Sequence, residues 1–124
     1  MSDGGLAVAL AECCIAVKGA ETGANVDLGD SAANSFRGAL FGESQARFVV
    51  TSDDPAALEQ IAEKHGVTVT RLGTVTTPDE GFVLRAYGRT IDTDIETLSS
   101  AWHDAIPDIM AGPAAAVEPA LAGV

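Results

Sequence analysis

The apolar positions near the start of the chain recur with the period of an α-helix. Five of them fall at spacings of i, i+4, i+7, i+8 and i+11: Leu6, Leu10, Cys13, Cys14 and Val17. The opposite side of this predicted helix is apolar as well, which indicates that the helix is covered on both sides. Lys18 and Gly19 carry the signals that end it.

Two stretches rich in β-branched residues predict strands at 47–51 and 67–72, on either side of a second helix. Asp54 and Pro55 mark the start of that helix as an N-cap and a first-turn proline, and Gly66 marks its end. Its predicted apolar face consists of four residues: Leu58, Ile61, Ala62 and His65.

Weaker patterns predict a strand at 23–28, a short helix at 32–40, a turn at 78–81 and a strand at 82–86. Gly88 is expected to break the last of these strands.

The final predicted helix opens on a capping box, in which Thr93 caps the helix and Glu96 reaches back. The helix presents Ile95, Leu98, Trp102 and Ile106 on one face, so Trp102 is expected in the core. Pro107 should kink or end the helix.

These elements predict an α+β fold, a mixed β-sheet covered by helices, with a partly ferredoxin-like βαββα order. Residues 1–110 are expected to form one domain and residues 111–124 a loose tail.

Composition narrows the classes of function. The chain is 47% hydrophobic, which excludes a disordered chain, and its formal net charge of −11 disfavours nucleic-acid binding. Membrane spanning and secretion are disfavoured, because we find neither an apolar run of about 18 residues nor a leader pattern.

Cys13 and Cys14 are adjacent and predict two buried thiols without a disulfide. Neither His65 nor His103 belongs to a metal or triad pattern, so we assign no catalytic or metal-binding residue.

Two stretches are candidate ligand sites. The run Ser2-Asp3-Gly4-Gly5 exposes amides at a helix start, which suits either a phosphate group or an ordinary helix cap. The second stretch holds the candidate ligand-facing residues Glu43, Ser44 and Gln45, and the alternative there is an exposed polar loop.

The same two stretches carry a family resemblance. SDGGLAVALAE at 2–12 resembles the second half of the HD-x-SDGGL-x-x-A-x-x-E motif of the AIR-synthase-related superfamily. LFGESQARFVV at 40–50 resembles the LFGE-x-x-x-R-[FY]-V-V stretch of one family within it, the phosphoribosylformylglycinamidine synthases. Other superfamily kinases and synthetases are alternatives, and the LFGESQ stretch argues against them.

The resemblance implies an AIR-synthase C-terminal-domain-like fold and a role in de novo purine biosynthesis. The full cytoplasmic enzyme converts formylglycinamide ribonucleotide, ATP and glutamine-derived ammonia to the amidine, with Mg²⁺. The implied partners are the remaining domains of the synthase chain, a glutaminase subunit and a small accessory subunit. The residues implied to face a nucleotide phosphate are Ser2, Gly4 and Gly5. The family's His-Asp pair does not precede Ser2, where Met1 stands instead, so no metal ligand is carried over.

Two hypotheses follow. In the first, the chain is a catalytically incomplete piece of the synthase, inactive alone, which exposes an apolar docking face and self-associates weakly near its first helix. In the second, it is a stand-alone, non-catalytic nucleotide-binding or scaffold module of the same fold.

Overall fold

A computed structural model describes residues 3–29 and 35–112 of the chain. The helices are α1 (Gly5–Ile15), α2 (Phe36–Phe41), α3 (Pro55–Lys64), α4 (Ile95–His103) and α5 (Ala105–Ala111). The strands are β1 (Gly23–Asp27), β2 (Gly73–Thr76), β3 (Phe82–Ala86) and β4 (Arg89–Thr93), and a 3₁₀ turn (Pro78–Glu80) precedes β3.

The four strands form one mixed sheet in the order β2-β1-β3-β4. β1 runs antiparallel to β2 and parallel to β3, and β3 pairs with β4 as an antiparallel hairpin. The predicted α+β class is therefore confirmed, as are the predicted strands that became β1 and β3.

The core lies between one face of this sheet and α1. Alternate residues of β1 and β3 point into it, with Val26 and Leu84 at its centre, and they form one buried cluster with Leu6 and Leu10 of α1. Every residue of α1 except Cys13 is buried or half-buried, which confirms the prediction of a helix covered on both sides.

The opposite face of the sheet is polar. Asn25 and Asp27 of β1 and Arg85 of β3 alternate with the buried residues and are exposed. The Arg85 guanidinium donates to Asn25 Oδ1 at 2.6 Å. Such alternation is the pattern of a sheet with one face in the core and the other in water.

The two strands predicted at 47–51 and 67–72 are absent, and both predictions are wrong. Phe48 is 87% exposed, and Val50, Val67 and Val69 are also exposed. β-Branched residues favour a strand only where a neighbour supplies ladder bonds and packing, and the described sheet takes its strands from other segments. The intervening helix α3 forms where predicted, but Ala62 alone of its four-residue apolar face is buried.

The structure contains a strand that the sequence reading missed. β4 follows β3 through a two-residue turn in which Tyr87 and Gly88 have φ angles of 53° and 67°. Two successive residues with positive φ are the signature of the tight hairpin turn that matches strand twist. Gly88 therefore ends β3 as predicted, and it does so by returning the chain alongside that strand.

The short helix predicted at 32–40 occupies Phe36–Phe41, and 32–34 lie outside the described residues.

The start of α4 differs from the predicted capping box by one residue. Asp94 is the N-cap, because its carboxylate accepts from the Thr97 amide at 2.6 Å and from the Thr97 hydroxyl at 2.9 Å. Thr93 instead pairs with Phe82 at the end of β4, so it belongs to the sheet.

Trp102 is 56% exposed, so its expected place in the core is wrong. The buried residues of α4 are Ile95 and Ser99, one turn apart. Trp102 follows one turn after Ser99 on the same stripe of the helix, but its side chain is exposed there. The helix ends at His103, and Pro107 falls in the first turn of α5. Most of the tail predicted at 111–124 lies outside the described residues.

The Asp94 cap makes the stability of α4 sensitive to pH. The amide and hydroxyl of Thr97 bond the ionised carboxylate and lower the pKa of Asp94. A carboxyl group with a lowered folded pKa stabilises the protein above its unfolded pKa of about 3.9 and loses that contribution as pH falls through the folded value.

Asp94→Ala should therefore lower the midpoint of thermal unfolding at neutral pH by roughly 2–6 °C, because an N-cap is lost. Thr93→Ala serves as the control for cap position. The difference between wild type and Asp94→Ala should shrink in acid, as followed by circular dichroism. If Thr93→Ala lowered the unfolding midpoint more than Asp94→Ala, Thr93 would be the N-cap, as the sequence predicted.

Candidate functional site

The two stretches that resemble the family meet in space. The backbone amide of Gly4, at the start of α1, donates to Glu43 Oε1 at 2.9 Å. Glu43 stands just beyond the end of α2, 39 residues along the chain. The structure therefore brings together Gly4, Gly5 and Glu43 from the predicted site, and Ser2 lies outside the described residues.

The chain enters α1 through three residues in left-handed backbone conformation. Asp3, Gly4 and Gly5 have φ angles of 57°, 98° and 80°. Gly4 is the N-cap and, as a glycine, supplies no side-chain bond, and the first turn of α1 contains no acidic residue. The Glu43 carboxylate supplies the missing acceptor and places a negative charge at the positive end of the helix dipole.

Gly5 allows α1 to approach the end of α2. A Cβ atom at Gly5 would lie 2.6 Å from the carbonyl carbon of Phe41 and 2.8 Å from the carbonyl oxygen of Leu40. Leu40 is completely buried and joins the same core cluster as Leu6 of α1. The close approach fixes the α2 terminus, and with it the position of Glu43.

Ser44 and Gln45 continue the loop after Glu43, and both are exposed. Gln45 and Ala46 form a turn, in which Ala46 has a φ angle of 57°. An anion approaching the amide of Gly4 meets a carboxylate already in hydrogen-bond contact there, with Asp3 next in the chain. The arrangement is a capped and sterically closed helix start, and a phosphate group would have to displace Glu43 to reach this amide.

The two adjacent cysteines differ in their exposure to solvent. Cys14 is buried, and burial raises the pKa of its thiol although a hydrogen bond with Thr22 opposes the shift. Cys13 is exposed, so the prediction of two buried thiols is wrong for Cys13. Adjacent helical residues lie about 100° apart around the axis and cannot both face one core.

The two histidines lie at helix ends, as the sequence suggested. His65 is the C-cap residue of α3. His103 Nε2 lies 2.9 Å from the carbonyl oxygen of Ile15, and this contact ties the end of α4 to the end of α1. Across residues 3–29 and 35–112, no three His, Cys, Asp or Glu residues are grouped so that they could hold a metal ion.

Comparison with known proteins decides the family. The model of the family described as "AIR synthase related protein, C-terminal domain" matches residues 1–85. The chain belongs to this AIR synthase related family. Its fold and its two family-like stretches agree with that membership, and the predicted resemblance is confirmed.

Within this family, the chain is similar to the PurL subunits of several bacteria. It is 44% identical over 111 residues to phosphoribosylformylglycinamidine synthase subunit PurL of Thermobifida fusca, a match that covers 86% of this chain and 13% of the relative. The PurL subunits of Zymomonas mobilis and Prochlorococcus marinus are 37% and 36% identical over 110 and 115 residues, covering 89% and 86% of this chain and 14% of each relative. The chain thus spans 13–14% of these relatives' length.

A search of the solved structures found no significant match. None of the helices in the described part of the chain has both the length and the apolar character needed to cross a membrane.

Proposed function

We propose that this chain acts as the C-terminal domain of the second half of phosphoribosylformylglycinamidine synthase, within a cytoplasmic enzyme of purine biosynthesis. That enzyme forms a C–N bond, making the amidine from formylglycinamide ribonucleotide, ATP and glutamine-derived ammonia. The observation that carries the proposal is the 44% identity to a PurL subunit over 86% of the chain. The Gly4–Glu43 hydrogen bond adds support, because it joins the two family-like stretches into one structural unit.

The domain serves the enzyme by its shape rather than by its own catalytic groups. Among the described residues, His103 contacts the Ile15 carbonyl and Cys14 is buried, whereas His65 and Cys13 are exposed, and no hydrogen bond joins a histidine to a cysteine as base and nucleophile. Mg²⁺ is usually held by one or two carboxylates together with substrate phosphates, and residues 3–29 and 35–112 bring together no group of three His, Cys, Asp or Glu residues that could hold a metal ion without a nucleotide. We therefore assign ATP chemistry and Mg²⁺ to other parts of the synthase.

We also propose that Ser2, Gly4 and Gly5 form an auxiliary contact to a nucleotide phosphate. The position of Gly4 and Gly5 at a helix start supports the proposal, although the Gly4 amide is already hydrogen-bonded to Glu43. A phosphate group reaching this amide must displace the Glu43 carboxylate, so we expect the contact to be weak.

The isolated chain should therefore bind ATP weakly and should not hydrolyse it. Added ATP should shift the amide resonances of Gly4 and Gly5 in an NMR titration, while an assay for released phosphate stays at the background rate. Phosphate release that increases in proportion to the amount of purified chain would contradict the non-catalytic role. Unchanged resonances at both glycines would remove the auxiliary phosphate contact and leave the domain assignment standing.

The proposed partners are the remaining domains of the synthase chain, with a glutaminase subunit and a small accessory subunit in the assembled complex. The chain exposes large apolar side chains that suit docking of those domains, above all in the segment between α2 and β2, where Phe48 and Val50 lie. α1 exposes none of its large aliphatic residues, so the weak self-association expected near it would use another surface.

A synthase lacking this domain should regain amidine formation when the chain is added, and that experiment tests the function directly. Phe48→Ser should weaken the rescue, because it removes an 87% exposed aromatic side chain of the proposed docking segment. Val17→Ser is the matched control, since Val17 is also exposed but lies beyond α1. Failure of a folded wild-type chain to rescue would contradict the proposal.

The alternative is a stand-alone module that has kept only the fold. One observation favours it: the Gly4 amide, which would donate to a phosphate group, already donates to Glu43. The intact mass of the natural gene product separates the two functions. A polypeptide several times heavier than this chain supports the synthase domain, and a mass near 12.6 kDa supports the module.

A further inference from the structure

A cleft of about 460 Å³ lies where α1 and α4 end beside each other. α1 ends at Ile15 and α4 ends at His103, and the 2.9 Å contact between His103 Nε2 and the Ile15 carbonyl oxygen joins the two ends. The C-terminal end of a helix carries a partial negative charge, which favours cations. Two such ends therefore give this part of the molecule a preference for positive charge.

Three acidic side chains line the cleft, and one of them is paired. Asp104 Oδ1 lies 3.2 Å from the Lys18 ammonium, and both side chains of this pair are exposed. Glu21 and Glu96 line the same cleft, and in the described part of the chain neither has a cationic partner at salt-bridge distance. The Gly19 amide donates to Glu21 Oε2 at 2.9 Å and lowers the pKa of this carboxyl group, which keeps it ionised. Two carboxylates are thus left without a counter-charge.

Ser99 adds a hydrogen-bonding group that the fold does not use. The residue is only 8% exposed and lines the cleft, and its hydroxyl has no hydrogen-bond partner among the residues that the structure describes. A buried polar group without a partner costs free energy, and a ligand that bonds to it recovers that cost. The hydroxyl is therefore a second, independent sign of a missing ligand beside the two carboxylates.

The positions of these residues make their side chains converge. Ser99 and Asp104 follow Glu96 by three and eight residues, and such spacings lie on one side of a helix. The contact of Asp104 with Lys18 brings the segment after α1 against that side of α4. Glu21 belongs to this segment, so it reaches the cleft from the opposite wall.

We propose that this cleft binds a small aliphatic diamine, whose ammonium groups bond the Ser99 hydroxyl and the carboxylates of Glu96 and Glu21. An ammonium group has three N–H donors and no acceptor, which suits a hydroxyl oxygen and carboxylate oxygens. Two positive charges match the two unpaired carboxylates, and the volume lies within the roughly 300–1,000 Å³ of small-molecule sites. The site uses none of the residues at the start of α1, so it does not rest on the proposed synthase role.

The test is an NMR titration of the chain with putrescine at constant, near-physiological ionic strength. The Debye length is then about 8 Å, so the remote acidic surface is largely screened. Saturable shifts are expected at the amides of Glu21 and Ser99. The matched probe is butane-1,4-bis(trimethylammonium), which carries two charges on the same carbon chain but has no N–H donor. It should bind about tenfold more weakly, the typical loss for one hydrogen bond to a charged group.

Two variants separate the hydroxyl from the charge. Ser99→Ala keeps every carboxylate and suits a helix, and it should weaken putrescine binding about tenfold while leaving the affinity for the trimethylammonium probe unchanged. Glu96→Gln should weaken the binding of both probes. Glu63→Gln is the control, because it removes the same charge from an exposed position of α3 outside the cleft and should leave both affinities unchanged.

Weaker putrescine binding by Ser99→Ala, with wild-type binding by Glu63→Gln, would support the site. Linear, unsaturable shifts in the wild type would overturn it, as would equal weakening by Glu96→Gln and Glu63→Gln. Equal affinity for the two probes would also overturn it, because charge alone would then attract the cation. If Glu96→Gln fails to fold, Ser99→Ala decides the matter alone, since alanine is the strongest helix former.

Discussion

Replacing Gly5 with alanine should destabilise the protein by about 2–5 kcal/mol, a large part of the 5–15 kcal/mol typical of a domain. Two effects add. The φ angle of 80° lies in the left-handed region, which disfavours any residue with a Cβ atom. The new Cβ atom would also lie 2.6 Å from the Phe41 carbonyl carbon, and backbone atoms at a helix end cannot move aside cheaply.

Gly19→Ala separates these two effects. Gly19 has nearly the same conformation, with a φ angle of 87°, but a Cβ atom there would meet nothing within 4 Å. It should therefore lose only the backbone component, about 1–2 kcal/mol. Urea denaturation followed by circular dichroism measures both variants. Equal losses would mean that the approach of α1 to α2 contributes nothing beyond backbone strain.

The sequence predicted the parts of the fold that are encoded locally. Two successive glycines after Asp3 indicated a helix entry, and Asp54 with Pro55 indicated the start of α3, where Asp54 Oδ1 accepts from the Ala57 amide at 3.0 Å. Such signals act over one helical turn. They can be read without knowing what packs against the helix.

The strands show where local reading fails. Residues 47–51 hold three β-branched residues and residues 82–86 only one, yet only the second stretch forms a strand. The difference lies in the partners, because β3 sits between β1 and β4 and completes its ladder on both sides. β4 was missed for the same reason, since its pairing depends on the turn at Gly88 more than on its own composition.

The candidate site likewise has one part that the sequence predicts locally and one part that depends on a long-range contact. The left-handed entry to α1 follows from its glycines, but no spacing rule links Gly4 to a carboxylate 39 residues away. Sequence reading found both stretches and left their relation open. The structure supplies that relation, in which Glu43 stabilises the helix start that an external anion would otherwise use.

Leu40→Ala should be the second strongly destabilising change, by about 2–5 kcal/mol. Leu40 has 0% exposure and is the only buried residue of the six-residue α2, where Phe36 packs against the core only in part, so Leu40 supplies most of what holds α2 on the core. The cavity would loosen the α2 terminus. The Gly4 amide should then lose protection from hydrogen exchange, because its acceptor Glu43 follows that terminus.

Phe41→Ala is the control, since Phe41 is the next residue of the same helix and is 49% exposed. It should lose less than half as much stability and leave the exchange of Gly4 close to that of the wild type. Urea denaturation and amide exchange measured on both variants give the two readouts. If Leu40→Ala lowered stability while Gly4 stayed protected, the Glu43 contact would be held by the loop itself. The buried face of α2 would then anchor the fold without positioning the site.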